Sequence, residues 1–216
     1  MSFEISSKDY MKYIRCVAAS LDQKAEYITN LDAATGDGDH WVNLHMGFEK
    51  LQENDKTLSC MPISECFINI GMLMTNTIGG SSGILYGGAY IAAGKMMNKL
   101  VTMDCDTLIQ ALEVMVQDMM SRGEARPGDK TMIDALYPAV LAGKDAVSRG
   151  VDDCNILVAM KKAAEEGAEL TRFMEARRGR ACYQSHKGVG YLDPGAITMA
   201  MQISCLVDYI TENELT

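Results

Sequence analysis

The sequence predicts an all-α chain of about eight helices. Apolar residues recur at spacings of three and four through most of its 216 residues, no run alternates with the period of two that a half-buried strand needs, and the glycine clusters fall between helical patterns and not inside hairpins. Short connections favour antiparallel neighbours. Ser6 and Asp9 form a capping pair ahead of Met11, Ile14, Val17, Ala18, Leu21, Ala25, Ile28 and Leu31, one continuous face of a long first helix. Asp39 is placed to cap a second helix through about Gln52, and Pro62 fits the first turn of a third through about Thr77. Gly79-Gly-Ser-Ser-Gly83 leads into a fourth helix ending near Lys99, and Asp106 begins a fifth that Gly123 ends in a left-handed conformation. A sixth runs from about Thr131 to Ser148 before Gly150, and a seventh, rich in Ala, Glu and Lys, from about Asn155 to Met174. Asp193-Pro194 opens the last, which continues through Tyr209, with Asp suited to the cap and Pro to the first helical position.

No linker, internal repeat or low-complexity tract interrupts the pattern, so residues 1–216 read as one domain. No apolar run approaches the roughly 18 residues of a membrane span, and the first residues lack the basic and apolar regions of a signal peptide, so the expected location is the cytoplasm. Seven cysteines, odd in number and without a C-x2-C pair, argue against a disulfide framework or a zinc site, and most are expected to be small core residues. A formal charge of −9, with no basic stripe and interleaved aromatics, disfavours a nucleic-acid partner. The seventeen methionines read as adaptable core filler.

Leu31-Asp-Ala-Ala-Thr-Gly-Asp-Gly-Asp-His40 sets Asp32, Asp37 and Asp39 into one glycine-broken turn. Crowded carboxylates repel unless a cation neutralises them, and carboxylate oxygens suit Mg2+, which keeps open positions for phosphate; a solvated acidic turn is the alternative for this segment alone. Gly79 to Gly83 fits either a flexible turn or a helix start that cradles a diphosphate through free N–H groups. Gly128-Asp-Lys-Thr131 lacks the G-x4-G-K-[ST] spacing of a phosphate loop, and counting twelve from Asp32 reaches Asn43 where an EF-hand requires Glu.

Five motifs in order, Leu31 to His40 with Asn43, Gly79 to Gly87, Arg122 to Met132, Gly179 to Ala181 and Asp193 to Ala196, closely resemble the ADP-binding L subunit of bacterial dihydroxyacetone kinase and the homologous domain of single-chain ATP-dependent kinases. The resemblance runs nearly end to end and implies an antiparallel eight-helix barrel with nucleotide across one end. It implies that Asp32, Asp37 and Asp39 hold two Mg2+ ions bridging the phosphates of ADP or ATP. It also implies that His40, Trp41, Val42, Asn43, Ser81 and Ser82 contact the nucleotide, that Gly123 and Met132 line its base and sugar pocket, and that Arg180 with Asp193, Pro194 and Gly195 completes the site. The chain departs from the family pattern at Trp41, where a glycine is usual, at Cys182, where a serine is common, and at Tyr191-Leu192, where His-Gln is usual. His45 and His186 match no family role and read as surface or packing residues.

The resemblance implies a division of labour. A separate K subunit binds dihydroxyacetone covalently through a histidine and supplies the acid and base groups. A free-standing L subunit retains ADP, rephosphorylated in place by a phosphohistidine of the M subunit of the phosphoenolpyruvate-dependent phosphotransferase system. With no K domain fused to this sequence, the expected function is that of such a phosphotransferase subunit. Two alternatives stand beside it: an ATP-exchanging subunit of a kinase for another small ketose or polyol, motivated by Trp41 and Tyr191-Leu192, and a nucleotide-dependent regulatory subunit.

Overall fold

The computed structural model describes residues 2–213. Ten α-helices are present among them: α1 (Ser7–Gln23), α2 (Ala25–Thr35), α3 (His40–Glu53), α4 (Asp55–Leu58), α5 (Ile63–Thr77), α6 (Gly80–Met96), α7 (Cys105–Gly123), α8 (Ile133–Ser148), α9 (Asp153–Leu170) and α10 (Pro194–Asn213). The long first helix is in fact two. At Lys24 the backbone leaves helical geometry (φ −108°, ψ 16°) and its N–H bonds Leu21 O and Asp22 O, which re-aims the following helix so that Ile28, Asp32 and Thr35 become its buried face. The tenth helix is the single turn α4. A two-residue antiparallel pair, β1 (Ile5–Ser6) with β2 (Thr102–Met103), is too short to leave an alternating pattern in the sequence.

Local chemistry sets the termini. Ser6 and Asp9 make the reciprocal capping box in full. Asp39 precedes α3 without capping it; its own backbone is near-helical, and the His40 N–H is taken instead by Asp32 Oδ2 at 3.0 Å. Pro62 stands one residue before α5, whose first donors go to Val101 O and Leu100 O. The helix after the glycine-rich stretch begins at Gly80, so Ser81, Ser82 and Gly83 form its first turn. Asp104, not Asp106, caps α7 through the Thr107 N–H at 2.9 Å, and the left-handed residue that ends it is Glu124 (φ 47°, ψ 36°), not Gly123. Asp152 caps α9, which ends at Leu170, short of Met174, in a 3-10 turn at Thr171–Phe173. Asp193 caps α10 by accepting from the Ala196 N–H at 2.7 Å, with Pro194 as the first helical residue.

The helices pack as a closed ring, α1 to α3, α5, α6, α7, α8, α9, α10 and back to α1, the all-α barrel that the sequence led us to expect. Its interior is one continuous apolar cluster. Met11, Met74, Met103 and Met119 are fully buried there, and Tyr10, Phe67 and Tyr90 interlock at centroid distances of 4.6 to 6.4 Å, with the Tyr10 and Tyr90 hydroxyls bonded at 2.9 Å. Of the cysteines only Cys66 and Cys105 are buried, so fewer serve the core than composition led us to expect; all seven are free. No helix among the described residues is long and apolar enough to cross a membrane.

Glycine determines how closely neighbouring helices approach. A Cβ on Gly87 of α6 would lie 1.9 Å from Thr75 Oγ1 and 2.7 Å from the Gly71 carbonyl of α5. On α9, a Cβ at Gly167 would lie 2.1 Å from Asp134 O, the carbonyl that Pro138 leaves without its helical donor. Gly87→Ala should therefore destabilise the fold by about 1–3 kcal/mol despite its better helix propensity, read as a lower urea midpoint with an unchanged m-value.

Candidate functional site

An up-and-down ring sends alternate connections to the same end. The turns from α2 to α3, α5 to α6, α7 to α8 and α9 to α10 meet there around a single cleft of about 360 Å3. Four helix N-termini therefore converge, each with a partial positive charge. Such an end attracts anions, and the acidic turn between α2 and α3 is placed within it.

Asp32, on the last turn of α2, is buried, and its carboxylate reaches across to the first N–H of α3. Gly36 lies against it: a Cβ there would stand 2.4 Å from Asp32 Oδ1. Asp37 and Asp39 follow on the exposed turn, and the three side chains offer oxygens that lie within 4.8 Å of one another. Arg180 balances part of this charge through an ion pair of 2.6 Å to Asp37. A compact all-oxygen donor set with one charge already matched to an exposed guanidinium fits a hard divalent cation. His40 points the other way, with Nε2 2.8 Å from Thr198 Oγ1 of α10, and burial pushes its pKa down, so the imidazole is neutral.

The cleft also receives Asn43, Ser81, Ser82, Gly123, Met132, Asp193, Pro194 and Gly195 of the residues expected from sequence. Trp41 and Val42 are not among its lining. Trp41 packs against the core with its ring stacked on His45 at 4.9 Å and its indole N–H buried without a partner, while Val42 is largely exposed. His45 pairs with Asp22 at 2.8 Å, and His186 accepts from the Gly188 N–H. Sequence reasoning missed an apolar wall of Leu85, Met119, Ala125 and Ile133 beside Met132. Nothing in the sequence separates these from ordinary core positions, because all but Ala125 sit on helices with apolar periodicity. It also missed Arg178 and Lys130. The run Arg177-Arg-Gly-Arg180 was a visible signal for the first; Lys130 gave none, since a lysine in a glycine turn reads as solvated.

A scaffold of loop hydrogen bonds fixes the far side. Asp134 accepts from the Gly128 and Thr131 N–H groups, and Asp129 from the Arg126 N–H at 2.8 Å. Burial raises the Asp134 pKa. Burial also pushes Asp193 up to about 7, against the Ala196 N–H and the Lys130 ammonium, which lower it. The cleft thus has a polar half, built of carboxylates, helix starts and Arg180, and an apolar half able to take a flat ring.

Two predictions follow from this geometry. Gly36→Ala should displace the Asp32 carboxylate and weaken Mn2+ binding, read by electron paramagnetic resonance, by at least about tenfold while circular dichroism is unchanged. In metal-free protein the raised Asp193 pKa means that the folded state binds more protons than the unfolded one between about pH 4 and 7. The stabilisation from this group is complete at the acid end and lost as pH rises through about 7, so Asp193→Asn should flatten that decline in urea titrations.

Comparison with known proteins gives a consistent picture. Residues 34–208 match the DAK2 domain. The chain is 33% identical over 183 residues to the ADP-binding subunit of the PEP-dependent dihydroxyacetone kinase of Escherichia coli (strain K12), covering 85% of this chain and 87% of that one. Among solved structures it matches the dihydroxyacetone kinase of C. freundii, in its native form (TM-score 0.72, 28% identity) and in complex with AMP-PNP and Mg2+ (TM-score 0.69, 29% identity). Both matches cover 92% of this chain, which spans about a third of the kinase's length.

Proposed function

This chain belongs to the DAK2 domain family, and we propose that it is the nucleotide-holding phosphotransferase subunit of a dihydroxyacetone kinase driven by the phosphoenolpyruvate-dependent phosphotransferase system. In this reading ADP stays in the cleft as a carrier. A phosphohistidine on an M subunit charges it, and the phosphoryl group passes to dihydroxyacetone held on a K subunit. The observation that carries the reading is the two-sided cleft itself, with the acidic trio and the first turn of α6 on one side and the apolar wall on the other.

Each group then has a task. Asp32, Asp37 and Asp39 hold two Mg2+ ions, which offset charge on the transferred phosphoryl group. Ser81 and Ser82 donate hydroxyl and backbone hydrogens toward the phosphates from a helix start. His40 stays neutral and tied to Thr198, so it orients the first turn of α3 and carries no proton to substrate. Asn43 lies on the same turn, and Trp41 and Val42 enter the reading as the packed turn that carries both. Gly123 and Met132 take the base and sugar, and Asp193, Pro194 and Gly195 close the opposite rim. Arg180 exchanges Asp37 for phosphate oxygens, which its planar fork matches in pairs.

Among the described residues, the cleft offers no free amine to a ketose. The one lysine lining it, Lys130, is buried with its ammonium on two backbone carbonyls, so the acceptor has to be brought by the partner. Protein purified without added nucleotide, denatured and resolved by chromatography, should release near-equimolar ADP. An empty site that binds ATP only on addition would replace this reading with that of an exchanging kinase subunit for another ketose or polyol. Asp37→Asn should lower phosphoryl transfer in the reconstituted complex by at least about 100-fold, the scale of losing one preorganised electrostatic group. Intact transfer with altered partner binding would instead favour a regulatory subunit.

A further inference from the structure

Between Thr171 and Tyr191 the chain leaves the helical ring, crosses the mouth of the cleft with Arg178 and Arg180, and returns to α10. Besides the Arg180–Asp37 ion pair, its fastenings converge on the short segment from Glu124 to Lys130. The Arg177 N–H donates to Asp129 O at 3.1 Å, and the Arg178 guanidinium donates to Glu124 O through Nε at 2.8 Å. Lys130 Nζ donates to Thr171 O and to Tyr191 O, both at 2.5 Å. Those two carbonyls are where the excursion departs and where it returns. Thr171 strengthens the same closure, its Oγ1 accepting from the Asp193 N–H at 3.0 Å.

Lys130 is only 2% exposed, and its buried amine is hydrogen-bonded to both carbonyls. Its backbone is left-handed (φ 62°), and its side chain is buried beneath the loop between α7 and α8. Gly188 of the excursion (φ 70°) passes directly over it, and a Cβ there would lie 2.9 Å from Lys130 Cε. A compact ammonium with three rotatable donors can direct separate hydrogen bonds at two carbonyls, and charge-assisted bonds of this kind are roughly twice as strong as neutral ones.

We infer that Lys130 is a positioning residue which, by drawing together the two ends of the 171–191 excursion, holds Arg178 and Arg180 over the nucleotide cleft and so slows nucleotide departure. The inference rests on the reading of the cleft as a nucleotide site. It makes retention of the nucleotide a property of a buried loop clasp in addition to the phosphate contacts.

The test uses full-length protein with Mg2+ and a fluorescent ADP analogue carrying an N-methylanthraniloyl group. Lys130→Met keeps the length of the stem and removes the donors; Gly188→Ala disturbs the same contact from the excursion. Both should speed analogue release in a chase with unlabelled ADP by at least fivefold and hasten tryptic cleavage after Arg177, Arg178 and Lys187. A role confined to stability would lower the fraction of protein able to bind and leave the release rate of the remainder unchanged. Release at the wild-type rate in either folded variant overturns the clasp; should Lys130→Met not fold, Gly188→Ala decides alone. If wild-type protein binds no nucleotide, the reading of the cleft fails by itself, and tryptic cleavage still decides: acceleration in the variants supports the clasp, and wild-type rates overturn it.

Discussion

The structure depends on the alternation of helix direction around a closed ring. With neighbours antiparallel, every second connection returns to the same end, and each such connection feeds a helix start. The N-termini of α3, α6, α8 and α10 therefore face one another across a cleft whose electrostatic character is set by backbone before any side chain is chosen. Side chains then refine it. The end that would otherwise be uniformly attractive to anions carries three carboxylates on one side, so a cation and the anion it binds are each provided for.

Those carboxylates are held by unlike means. Asp32 is buried and fixed by the first amide of α3, with the missing side chain of Gly36 making room for it. Asp37 and Asp39 lie on an exposed turn, and the charge of Asp37 is met by Arg180, from a part of the chain more than a hundred residues away. One buried, hydrogen-bonded carboxylate beside two exposed ones would suit a cation site that must keep its position while its charge state changes. The failure of Asp39 to cap α3 belongs to the same design, since a cap bond would have turned its oxygens toward the backbone and away from the cleft.

Much of this was legible in the residues. Helical periodicity located the eight long segments, and the capping chemistry at Ser6, Asp9, Asp193 and Pro194 matched the observed termini. The acidic turn and the glycine–serine helix start were visible as motifs. Features that depend on tertiary context were not. The apolar period runs on through Lys24, so the break that swings Asp32 into place left no mark in it. Glutamate is a poor residue for a left-handed terminus, yet Glu124 adopts one beside a better-suited glycine, and its carbonyl then meets Arg178. Lys130 is written like a solvated turn residue and is among the most buried polar side chains present. The family resemblance also gave Trp41 a place among the nucleotide contacts, whereas successive residues on a helix point about 100° apart and its ring lies outside the cleft lining.

That divergence gives the lone tryptophan a different significance. Its ring is one residue from the cleft in sequence but seated against the barrel wall, stacked on His45, which is in turn tied to Asp22 of α1. An indole in contact with an imidazole is a chromophore whose emission changes when the neighbouring ring turns away. Because the sequence holds one tryptophan, its tryptophan fluorescence comes from a single turn of α3, and the molecule carries an unlabelled optical gauge of how firmly that turn is seated beneath the cleft.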